Sequence, residues 1–136
     1  MTAPTVDFPP FSDPALAPFW DGVRADKIVM QCCSDCGALR WAPAPRCPDC
    51  LSENFDWKEA SQTGRLVSYA TYRRAMNKAT AGDVPYTVAY VALDDGPHIY
   101  GRLLPDAAGA KCDMRVRAVF HEIEPGLPFI GWELER

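Results

Sequence analysis

From residue 64 onward the chain is a series of short runs in which apolar and polar positions alternate, separated by turn residues. Leu66–Tyr72 and Tyr86–Leu93 are rich in β-branched and aromatic residues, and His98–Leu104 follows the turn Asp94-Asp95-Gly96-Pro97. Met114, Val116, Ala118 and Phe120 alternate with Arg115, Arg117 and His121, which predicts a strand with one buried face. Phe129–Leu134 is the last run. Five strands are predicted in this half, and no helix.

The first half has a different texture. Pro4, Pro9, Pro10 and Pro14 forbid one continuous helix over the first seventeen residues. A short helix is predicted from Pro18 to about Asp26, with Phe19, Trp20 and Val23 on one face. Lys27–Gln31, Ala38–Trp41 and Phe55–Lys58 read as three short strands. Gly64 marks the change of texture. The chain therefore divides into an extended segment and helix (1–26), a three-stranded ribbon (27–60) and a β domain (61–136). The predicted class is mainly β. Five strands in about seventy residues fit a small barrel of the OB-fold kind, with an open sheet or sandwich as the alternative. The longest loop, 75–85, would border the ligand face of such a barrel.

Cysteine spacing changes the picture of the ribbon. Cys33-Ser-Asp-Cys36-Gly37 and Cys47-Pro-Asp-Cys50 are two Cys-x-x-Cys pairs ten residues apart. Four thiolates on two tight turns suit a tetrahedral metal, Zn²⁺ first and iron second. Two disulfides are the competing reading, which the lack of any export signal disfavours. Cys32 adjoins Cys33 and offers a Cys-x₃-Cys alternative, but Cys-x-x-Cys-Gly makes the tighter knuckle. A closed four-sulfur site leaves no position for water, so the metal is expected to be structural. A ribbon this small is expected to depend on it for folding.

Net charge is −4, which argues against a general nucleic-acid binder. No apolar run approaches the ~20 residues needed to cross a bilayer. The N-terminus has no signal-peptide pattern, and the expected location is the cytoplasm. Catalytic groups are scarce. His98 follows a turn and His121 falls on the predicted outward face of its strand, neither beside a recognisable nucleophile. Cys112 is a lone cysteine without a histidine signature. Arg73, Arg74 and Lys78 gather near the long loop, with Arg65 at the start of the same strand. Opposite tyrosines 69, 72, 86 and 90 they suit phosphates and a stacked base, in single-stranded nucleic acid or in coenzyme A. Phe8, Phe11, Phe19 and Trp20 together exceed what so small an interior needs, so docking of Phe11, Phe19 and Trp20 on a partner is expected, with filling of the domain's own core as the alternative.

The ordered set resembles one family. It runs Pro18-Phe19-Trp20, Met30-Gln31 into Cys33-x-x-Cys36-Gly37, then Pro43-x-Pro45-Arg46-Cys47-Pro48-x-Cys50, Trp57 and Gly64, then the β domain. It is similar to the DUF35 family, a rubredoxin-like zinc ribbon followed by an OB-fold, over roughly residues 17–134. Ala42-Pro43-Ala44-Pro45 stands where the family more often has adjacent prolines, and Cys32 is additional; neither removes a ligand. The resemblance implies a non-catalytic accessory subunit of a thiolase-superfamily enzyme: an acyl-CoA thiolase, an acyltransferase, or a lipid-transfer-protein-like retro-aldolase. It implies that the partner carries the catalytic residues and that acyl-CoA binds at a shared site. The competing functions are a single-stranded nucleic-acid module and a rubredoxin-like electron carrier.

Overall fold

The computed structural model describes residues 13–75, 78, 81–122 and 128–135. Phe8 and Phe11 lie outside these residues. Asp13 opens the described chain by accepting the Ala15 N–H on its carboxylate at 3.0 Å, one turn ahead of helix α1 (Ala17–Arg24). Pro18 sits in the first turn of α1, where a missing N–H costs nothing. The helix ends where Asp26 turns to φ 60° and the Lys27 N–H closes on the Gly22 carbonyl at 2.8 Å. Phe19, Gly22 and Val23 form its buried stripe. A Cβ at Gly22 would lie 2.6 Å from Val29 Cγ2, so glycine is what lets the helix lie close on the next strand.

Strands β1 (Val29–Cys33), β2 (Leu39–Arg40) and β3 (Phe55–Glu59) form an antiparallel sheet in the order β2-β1-β3. β1 begins two residues later than the pattern predicts and runs into the cysteines, because the helix cap consumes Asp26 and Lys27. Gln31 is a buried polar residue on β1, and its Oε1 accepts from Arg40 Nε at 2.8 Å and from the Ala44 N–H at 2.9 Å. That network, with Arg40 lying 5.1 Å over the Phe55 ring, fixes the proline-rich spacer against the ribbon.

β4 (Thr63–Tyr72), β5 (Tyr86–Leu93), β6 (His98–Leu104), β7 (Arg115–Glu122) and β8 (Pro128–Leu134) close a barrel in the order β4-β5-β6-β8-β7. All pairs are antiparallel except β6 with β8. This is the OB-fold, and closure overturns the open-sheet alternative. Thr87, Ala89, Val91 and Leu93 of β5 point inward, as strict alternation requires. Trp132 is fully buried at the barrel's centre, and Gly101 leaves the room its indole needs.

Ribbon and barrel share one interior. Phe19, Val23, Ile28, Met30 and Ala60 belong to the same apolar cluster as Leu66, Val91, Leu103, Val116 and Trp132. Phe19 is 3% exposed and packs 4.2 Å from the Trp41 ring. It is therefore a core residue of this chain, and the expectation that it docks on a partner is corrected. Pooling two small interiors creates room for an aromatic that neither could hold alone.

The start of the barrel is stitched by Asp94, in the β5–β6 turn. Arg115 grips its carboxylate with two hydrogen bonds, at 2.6 and 2.8 Å, and the Thr63 hydroxyl donates to it as well. These bonds, Arg115's foremost, hold the Asp94 carboxyl well below the usual carboxylate range. Its contribution is present above the ordinary aspartate pKa of about 4 and is lost as pH falls below it. Asp94→Asn is expected to flatten the acid limb of the melting temperature against pH between about pH 4 and 2. Thermal melts at stepped pH check this; an unchanged acid limb contradicts it.

Candidate functional site

The two Cys-x-x-Cys turns fold alike. In the first, the Cys33 N–H bonds the Ala38 carbonyl and the Gly37 N–H bonds the Cys33 carbonyl, both at 2.9 Å. In the second, the Cys47 N–H bonds the Ser52 carbonyl at 2.9 Å and the Leu51 N–H bonds the Cys47 carbonyl at 2.8 Å. Each turn closes on a left-handed residue, Gly37 at φ 78° and Leu51 at φ 65°. Leu51 takes a conformation that favours glycine and is 67% exposed.

These turns bring the sulfurs of Cys33, Cys36, Cys47 and Cys50 within 4.8 Å of one another. The nearest pairs are Cys33–Cys50 at 3.5 Å and Cys36–Cys47 at 3.6 Å. A disulfide needs about 2.05 Å. Four thiolates at about 2.3 Å from one tetrahedral metal stand about 3.8 Å apart, so the donors fit a four-sulfur metal. The Cys36 N–H donates to Cys33 Sγ at 3.5 Å and draws the Cys33 thiol down. Cys32 points away, toward the Gly37 carbonyl at 3.5 Å, and is not among the four.

A second feature crosses the outside of the barrel. Tyr72 stacks on Tyr86 with ring centroids 5.3 Å apart. The Arg102 guanidinium lies 4.4 Å over Tyr86 and 5.7 Å from the Phe129 ring. Phe129 lies 6.1 Å from His121. One row thus runs over β4, β5, β6, β8 and β7. Beside it Tyr90 stacks on Tyr100 at 4.7 Å, and His98 Nδ1 meets the Tyr90 hydroxyl at 3.0 Å. Tyr69 is on the other face of β4, opposite the inward Ala89, so Tyr100 takes its place in the aromatic set. His121 is half-buried against Phe129 rather than free on the surface. Burial, reinforced by the Arg102 charge, lowers its pKa and keeps the ring neutral at neutral pH.

At one end of this row lies a cavity of about 330 Å³, between the β4–β5 loop and the chain after β6. Arg73, Arg102, Asp83, Tyr86, Thr71 and Asp106 line it. Arg102 is held by Asp83 at 3.1 Å and keeps 12% of its side chain exposed. Of the three cations singled out in the sequence, Arg73 lines the cavity. Arg74 and Lys78 are exposed and are not among its described lining residues. Arg102 carried no sequence signal beyond its outward position on a strand. The residues it meets come from three other segments. A larger groove, about 550 Å³, lies between the start of α1 and the ribbon, lined by Pro14, Pro18, Pro43, Pro45, Phe55 and Trp57. Trp20 is half-buried and packs against the core. No helix among the described residues is long and apolar enough to cross a membrane.

Two family models match consecutive parts of the chain: the rubredoxin-like zinc ribbon domain of ChsH2 over residues 20–56, and the C-terminal OB-fold domain of ChsH2 over residues 57–121. A probable enoyl-CoA hydratase alpha subunit of Thermomonospora curvata is 33% identical over 113 residues, covering 82% of this chain and 31% of that one. The chain thus spans about a third of that relative's length. The benzoylsuccinyl-CoA thiolase subunit BbsA of Thauera aromatica is 24% identical, over 83% of this chain and 78% of its own. Among solved structures, a chain of the Ltp2-ChsH2(DUF35) aldolase superposes with a TM-score of 0.80 at 28% identity, covering 90% of this chain and 95% of that one. With its four-cysteine ribbon, its closed five-stranded barrel and these matches, the chain belongs to the DUF35 family.

Proposed function

We propose that this chain is a non-catalytic accessory subunit of a thiolase-superfamily enzyme acting on a CoA thioester, which it helps to assemble and to supply with acyl-CoA. The observation that carries the reading is the likeness, over nine-tenths of the chain, to the DUF35 partner in an aldolase complex, together with the likeness to a thiolase subunit. The two curated relatives are named for CoA-thioester enzymes, a hydratase and a thiolase, and the structural relative for an aldolase, so thiolysis, retro-aldol cleavage and acyl transfer all stay within the proposal. The metal is zinc in a structural role. It would be held by Cys33, Cys36, Cys47 and Cys50, and when bound it supplies a cross-link between the two knuckles. Elemental analysis showing iron, with a red protein, would instead favour an electron carrier.

The CoA contacts fall at the cavity. Arg73 and Arg102 offer guanidinium forks for phosphate, and the Tyr72–Tyr86 stack offers a platform for adenine. Arg74 and Lys78 stand outside it as a positive approach. Trp20 and the groove beside α1 supply partner surface, with Phe11 from the preceding segment.

The test is co-expression with a thiolase-like subunit from the same organism. The pair is expected to purify as a heteromer with higher acyl-CoA turnover than the enzyme subunit alone. Arg73→Ala should raise KM for the CoA thioester about tenfold, the effect of one lost charge-assisted hydrogen bond of about 1.5 kcal/mol, and leave the heteromer intact. A chain that stays apart from such partners and leaves their activity unchanged sinks the reading.

A further inference from the structure

β4 is ten residues long, and barrel closure uses only its first part. Thr63–Arg65 pair with β7, and Leu66 extends that ladder to Asp113 and Met114 at 2.7 and 2.9 Å. From Ser68 to Tyr72 the strand pairs with β5 alone, beyond a bulge between Leu66 and Ser68. Among the described residues no strand pairs with the other edge of Val67–Tyr72. All six of these residues are exposed.

Natural edge strands are blunted by charge, by proline or by brevity. Val-Ser-Tyr-Ala-Thr-Tyr contains no charge and no proline, and five of its six residues favour or tolerate strand. Such an edge offers a row of main-chain donors and acceptors to an added strand.

Charge decides what strand fits. Arg73 and Arg74 follow the open stretch, and neither forms an ion pair among the described residues; Arg65, before it, lies in the part closed by β7 and acts on Asp94. Two copies of the edge, paired antiparallel about the Tyr69–Ala70 midpoint, would drive Arg73 and Arg74 of each against Asp113–Arg115 of the other, which already fill the edge beside Leu66 and Arg65 and bring Arg115 to face Arg74. Like charges opposed across a ladder are destabilising, so the flanks disfavour a second copy. They favour carboxylates. We propose that the open edge Val67–Tyr72 takes an extended strand of the enzyme subunit, uncharged in its middle and carrying Asp or Glu at the end that meets Arg73 and Arg74. The inference rests on the accessory-subunit reading for the existence of that partner, and adds where and how it is gripped.

The experiment uses the full chain with its thiolase-like partner. Arg74→Glu removes the charge match. Ala70→Pro and Thr71→Pro probe the ladder. Successive N–H groups on a strand face opposite edges, so one of the two prolines removes a donor from the open edge alone. The variant that keeps its melting temperature identifies it. That variant and the charge reversal at Arg74 are each expected to weaken the heteromer tenfold or more. Amide hydrogen exchange at residues 67–72 should slow on complex formation, which stands as a test even if both proline variants unfold. A wild-type heteromer that the variants leave within twofold, without exchange protection at the edge, overturns this inference alone. Dimers of the chain by itself through this edge overturn it too. No heteromer from the wild-type chain overturns the accessory reading together with it.

Discussion

Cys36→Ser is expected to abolish stoichiometric metal binding and to cost the chain several kcal/mol, about 5 or more. Structural zinc sites of this kind are associated with apparent binding free energies of about 10–16 kcal/mol in small peptides, and a site missing one of four thiolates forfeits a large share. The four sulfurs are the only groups of their kind brought within 4.8 Å among the described residues, so no substitute ligand stands by. The damage should spread past the ribbon. Phe19, Ile28 and Met30 are held by the ribbon and helix yet belong to the barrel's apolar cluster, so a loosened ribbon uncovers the barrel. Cys32→Ser is the control: its sulfur faces the Gly37 carbonyl, and metal content should stay at one per chain. Elemental analysis and thermal melts read both variants. Full metal in Cys36→Ser, at an unchanged melting temperature, contradicts the assignment.

Trp132→Ala should be comparably severe, at about 3–5 kcal/mol. The indole is fully buried, sits opposite Leu103 on β6 and Ala118 on β7, and occupies space that Gly101 leaves open. Its Nε1 has no partner among the described residues, so the loss is one of packing and not of a hydrogen bond. With single domains stabilised by about 5–15 kcal/mol, most of the margin would go. Chemical denaturation measures it. Trp132→Phe should recover more than half, since a ring refills most of the cavity. Equal losses for the two substitutions would mean that packing is not the cause.

The strands were legible because a barrel wall buries one face, and burial of one face writes itself as alternation. Tyr86–Leu93 and His98–Leu104 appear at the predicted positions. The cysteine set was legible because a metal knuckle is local in sequence. What escaped depends on residues that meet only after closure. Arg102 looked like one more polar position on a strand. Its meaning comes from Asp83, Tyr86 and Phe129, which three different segments deliver. His121 takes the outward face its alternation predicts, but alternation predicts only which side of the sheet a side chain takes. It does not say whether a neighbour such as Phe129 then covers it. Phe19 was assigned outward by weighing aromatics against the volume of one small domain, and the shared interior removes that premise.

The aromatic row on the barrel also divides the chain optically. Every tyrosine of the sequence, at 69, 72, 86, 90 and 100, lies on β4, β5 or β6, and two ring pairs are stacked closely enough to couple their transitions. Three of the four tryptophans, at 20, 41 and 57, belong to the helix and ribbon. Tyrosine bands therefore report the barrel alone, and in a Trp132→Phe background tryptophan bands report the helix and ribbon alone. One such sample can report which half loosens first, and whether a partner that grips one is sensed by the other.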